Sequence, residues 1–170
     1  MTLSPFEVGK EFGREIRLDT KQGNRIQNFQ RMEANPAQMR AWTKFIQDQC
    51  NRAELRSSTS VYNCVGMVLS SRRTWIDIDI VGWILNQDSY ILLSGVAEAR
   101  PGDLVVYKDT HSKEYAHIGM FLGERLLLEG SNQTEMWVIS QFGNFGEWIH
   151  PIDHVLPTWK GGIEIWTDRK

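Results

Sequence analysis

A chain of 170 residues is long enough to bury roughly two thirds of its extended surface in a single domain, so neither a disulfide framework nor a structural metal is needed to fold it. Its formal net charge of −2 comes from interspersed acids and bases, which argues against a nucleic-acid surface and against a charged tail. No apolar run approaches the roughly 20 residues that cross a bilayer, so no membrane partner is expected; the longest, "IDIDIVGWIL", carries two aspartates.

The opening stretch "MTLSPFEVGKEFGREIRL" lacks the uninterrupted apolar core of a secretory signal. The chain is therefore expected to stay in the cytoplasm as synthesised, unless a dedicated export system delivers it. Its two cysteines, Cys50 and Cys64, are too few for a disulfide framework and are expected to be reduced there. Residues 1–34 are weakly patterned. "KEFGREIRL" fits a short helix or an extended arm, and the segment could cover a cleft, dock on the core or contact a partner.

Asn35-Pro36 supplies a capping side chain followed by proline in the first helical position. Behind it Met39, Trp42, Phe45, Ile46 and Cys50 form a one-sided apolar stripe, predicting a helix over about 36–53 with Cys50 as core filler. "RSSTS" is a linker of cap-forming residues, and a helical pattern follows from Cys64 to about Trp75. "WIDIDIVGWILNQ" alternates and then turns helical. "RPGDLVVYKD" is a Pro-Gly turn feeding a strand; "AHIGMFLGE", "RLLLEGS" and "EMWVISQFG" read as three short strands. A last strand is expected at Ile163–Thr167. Helices first and an antiparallel sheet after them make an α+β protein.

Cys64 falls at a predicted helix start, where free N–H groups and the positive end of the macrodipole favour an anion. Such a site lowers a thiol's pKa from about 8.5 toward 7 or below, and the same N–H groups can bind an oxyanion. A nucleophilic cysteine also needs a base, usually a histidine. Of the four histidines, His111 lies in a polar loop, and His150 and His154 in the irregular "HPIDH". His117 opens a strand directly after a loop, rigid enough to aim and exposed enough to reach a cleft. On the residues alone, both Cys64 and His117 are open to a plain packing role.

Three blocks in order change the balance: "NCVG" at 63–66, "RPGDLVVY" at 100–107 and "HIGMFLG" at 117–123. Together they resemble the papain-like cysteine peptidases of the NlpC/CHAP amidase type, over roughly residues 60–140. The resemblance implies a papain-like fold, with Cys64 as nucleophile and His117 as general base and acid. The reaction it implies is amide hydrolysis through a thiol acyl-enzyme, without metal or organic cofactor. Peptides or peptidoglycan fragments are the implied substrates. In that family a polar residue on the following strand orients the histidine. Glu129 holds the expected place, Gln141 is the runner-up, and a solvent-facing Glu129 is the alternative.

This chain departs from the pattern in two places. Val65 stands where serine is common, and the tyrosine that supports the oxyanion hole has only Tyr62 or the "SSTS" hydroxyls as substitutes. "SQFGNFGEWIHPIDHVLP" could wall a substrate groove with His150 at its edge, or form a rigid loop on the sheet. Two other functions stand against the hydrolase. One is a metal site from His150 and His154, helped by Asp109, His111 or Asp153; Pro151 opposes the helix such a pair needs. The other is a binding module that keeps the groove without turnover.

Overall fold

The computed structural model describes residues 14–127 and 133–170. Among the described residues, three α-helices, α1 (Pro36–Gln49), α2 (Cys64–Leu69) and α3 (Val81–Gln87), accompany seven strands. These are β1 (Glu54–Ser57), β2 (Ile91–Leu92), β3 (Leu104–Lys108), β4 (Tyr115–Leu126), β5 (Thr134–Gln141), β6 (Glu147–Pro151) and β7 (Ile163–Thr167). The strands form one antiparallel sheet in the order β1-β6-β5-β4-β3-β7-β2. The molecule is α+β.

Strand alternation divides the core. Val105 and Tyr107 of β3, Phe121 of β4, Val138 of β5 and Trp148 of β6 pack on one face against Ile46 of α1, Cys50 just after that helix, and the C-terminal residues Val155 and Trp159. The intervening residues Leu104, Val106 and Ile118 meet Cys64 and Val65 of α2 and Val81, Ile84 and Leu85 of α3 on the other. Cys50 is core filler, as its place on the stripe implies. Both cysteines are free, and they sit in opposite cores.

α1 starts as the sequence predicts: the Asn35 side chain accepts from Gln38 N–H, and proline follows the cap. It ends at Gln49, a turn short of the expected 53. α2 is shorter still, stopping at Leu69 where a pattern to Trp75 was expected, because Ser71 and Arg72 both take left-handed backbone (φ 52° and 63°). The chain then doubles back along its own helix. A Cβ on Gly66 would lie 1.6 Å from the Thr74 carbonyl oxygen, so only glycine admits that approach.

"HIGMFLGE" and the start of "RLLLEGS" form one strand, β4, not two. Gly123, at φ 124°, sits in a register shift between Phe121 and Gly123 that lets the strand run on to Leu126. The segment around His150, expected to be irregular, is the end of β6, with Pro151 as its last residue. β1, β2 and β6 have no counterpart among the expected strands, whereas β7 spans the residues foreseen.

Candidate active site

Asn63 and Gly66 fix the position of Cys64. The Asn63 side-chain oxygen caps α2 by accepting from Gly66 N–H at 2.9 Å, and it also accepts from Ile76 N–H at 3.2 Å. Its amide donates to the Ile76 carbonyl at 2.6 Å. The residue before the thiol thus ties the helix start to the returning segment 74–76.

Cys64 is the first residue of α2, as the sequence predicts, but its environment inverts the expected electrostatics. Its side chain is buried in the α2–α3 core, and burial pushes the thiol up to about 11. The backbone N–H groups of Ile118, Val65 and Cys64 itself act in the opposite direction and do not prevail. A helix of six residues aligns few peptide dipoles, so desolvation wins.

His117 sits near the start of β4, across from Tyr107 of β3, and is 1 % exposed. Its ring stacks on Trp159 at 3.9 Å with an interplanar angle of 7°, and meets the edge of Phe142 at 5.3 Å. Burial, with a smaller effect from the charge of His150, holds its pKa well below the usual histidine value. At neutral pH the imidazole is uncharged and able to accept a proton. Its Nε2 has no hydrogen-bond partner among the described residues.

The two side chains, from different elements, line one cavity of about 360 Å³. Phe29, Arg31, Trp75 and Ile78 form one part of its wall; Phe142, Phe145, Leu156 and Trp159 form another. Arg31 lies over the Trp75 ring, 4.3 Å from its centroid, and donates to Asn144 Oδ1 at 3.0 Å. The arm that the sequence left unassigned is therefore part of the cavity rim. A larger groove of about 550 Å³ lies between α1 and Leu55 but has neither cysteine nor histidine in its lining.

The other candidates fall elsewhere. Glu129 lies outside the described residues. Gln141 is fully buried, and its amide donates to the carbonyls of Thr59 and Gly143. Tyr62 gives its hydroxyl to Glu147 at 2.9 Å, not to the cavity. His150 is buried rather than at the groove's edge: Nδ1 is 2.8 Å from the Pro151 carbonyl and Nε2 is 2.8 Å from Ser140 Oγ. The carbonyl can only accept, so Nδ1 carries the proton and the Ser140 hydroxyl donates to Nε2. With both nitrogens engaged, His150 cannot share a metal with His154. His154 instead lies near Glu135 and Asp153, and Glu135 is already paired with Arg52.

Sequence reasoning passed over Trp75, Trp159, Phe29 and Arg31. Besides Cys64 and His117, the segment 140–157 weighed as a groove wall reaches the cavity, through Phe142, Phe145 and Leu156. No protein-family model matches the chain, and no curated protein or solved structure matches it either.

Proposed function

We propose that the protein is a cysteine-dependent amide hydrolase with a papain-like arrangement, Cys64 acting as nucleophile and His117 as general base and acid. The observation that carries this reading is that the two side chains, 53 positions apart in the chain, line the same cavity. The neutral imidazole takes the thiol proton as sulfur attacks the substrate carbonyl. The new C–S bond gives a tetrahedral oxyanion, for which the amides against the sulfur are the nearest donors. His117 then protonates the leaving nitrogen, the C–N bond breaks, and a thioester remains. Water attacks the thioester while His117 accepts its proton; the acid leaves and the thiol is restored.

Because both groups rest uncharged, the proton moves during attack rather than before it. Reaction with a panel of peptide amides, followed by mass spectrometry, should show an acyl adduct on Cys64 and none on Cys64→Ala. Turnover retained by Cys64→Ala would overturn the assignment.

A binding module without turnover is the second reading, favoured by the raised thiol pKa and the unpartnered Nε2 of His117. It predicts saturable ligand binding, no adduct, and equal affinity in Cys64→Ala.

A further inference from the structure

We infer that the cavity takes a small amide whose acyl side chain is aromatic or bulky aliphatic, in preference to acidic, basic or small groups; this rests on the hydrolase reading for turnover but not for binding. Three observations support it. A volume of about 360 Å³ is at the low end for ligand pockets, room for one or two residues of a substrate inside it. The apolar part of its lining includes Phe29, Trp75, Ile78, Phe145, Leu156 and Trp159, with Arg31 and Asp77 as its charged members. Burying a large apolar group against the apolar walls gains by area, whereas a charged group gives up water for a lining whose charges, Arg31 and Asp77, are already committed to Asn144 and the Trp75 face or turned to solvent.

The polar groups in the lining are mostly spoken for. Asn63 uses its oxygen on Gly66 and Ile76 and its amide on Ile76. Asn144 accepts from Arg31, whose guanidinium lies along the Trp75 face. Asp77, exposed and accepting from Asp79 N–H, is the acid of the lining and sits at the solvent side. Cys64 and His117 remain for chemistry. Selection at the acyl side chain therefore falls to hydrophobic and stacking contacts, worth about tenfold for each methylene or two in such a pocket.

Two readouts separate the parts of this inference. The first compares kcat/KM for aminoacyl coumarin amides of phenylalanine, leucine, alanine, glutamate and lysine. Phenylalanine and leucine should exceed the other three by tenfold or more, and Phe29→Ala, in the cavity wall, should lower the phenylalanine rate severalfold more than the alanine rate. The second titrates Cys64→Ala with N-acetyl-phenylalaninamide and N-acetyl-glutamate amide, following the fluorescence of Trp75 and Trp159. Only the phenylalanine compound should perturb it at millimolar concentration. Binding preference without turnover of any substrate supports the ligand class and removes the hydrolase reading. Turnover that favours glutamate, lysine or alanine, or shows no preference, keeps the hydrolase reading and overturns the ligand class. Neither binding nor turnover overturns both.

Discussion

Cys64 and its surroundings oppose two tendencies of comparable reach. The helix start offers amides that favour a thiolate, while the apolar core around it penalises any charge, and the thiol stays protonated with a pKa of about 11. Relative to an unperturbed thiol, that leaves on the order of a hundredfold less thiolate at pH 7. Alkylation of Cys64 by iodoacetamide in the free protein should therefore be far slower than that of free cysteine at pH 7 and should climb steadily past pH 9. Peptide mass mapping of labelling against pH checks this; a plateau below pH 8 would contradict it. His117 supplies the complementary test. Its lowered pKa keeps it a competent base at pH values where an exposed histidine is already protonated. The acid limb of kcat/KM should thus lie below pH 6, and a limb at or above 6.5 would mean that the imidazole is solvated during catalysis.

The elements most legible from sequence are those announced by local chemistry. Asn35-Pro36 opens α1, the Pro-Gly turn feeds β3, and the alternating "IEIWT" is β7. What sequence hid was decided by distant contacts. α2 ends early because segment 70–76 must fold back to let Asn63 hold Ile76, and nothing in the apolar periodicity records that return. The "CVG" glycine carries its trace: Gly66→Ala would press a methyl group onto the Thr74 carbonyl. Relief demands backbone movement, costing about 1–3 kcal/mol or more. Asn63→Ala removes a cap worth ~1 kcal/mol and strands the buried Ile76 amide for about 1–3 kcal/mol further. Urea midpoints of both variants should fall clearly at constant slope. A neutral Asn63→Ala would show that the segment is held by packing alone.

At the scale of the whole molecule, the sheet edge and the helix carrying Cys64 are joined by a charge cluster that no stretch of sequence displays. Glu147 on β6 is fully buried and accepts from Arg56 of β1 at 2.6 Å, from Arg72 beyond α2 at 2.7 Å, and from Tyr62 before it at 2.9 Å. Burial alone would raise the carboxyl; the hydrogen bonds from Arg72 and Tyr62 and the charges of Arg72 and Arg56 outweigh it and hold the pKa below the usual value. A depressed carboxylate contributes stability that is present above its unfolded pKa, near 4.3, and is lost as pH falls through the folded value. Both arginines are about half exposed and would rehydrate on losing their partner, so Glu147→Gln should cost about 1–3 kcal/mol, less than breaking a fully buried pair. The stability gap between wild type and Glu147→Gln, measured by urea unfolding, should be constant from pH 7 to about 5 and close below pH 4. A gap that persists unchanged to pH 3 would mean that Glu147 acts through shape and not through charge. The helix carrying Cys64 would then owe its place against the sheet to apolar packing.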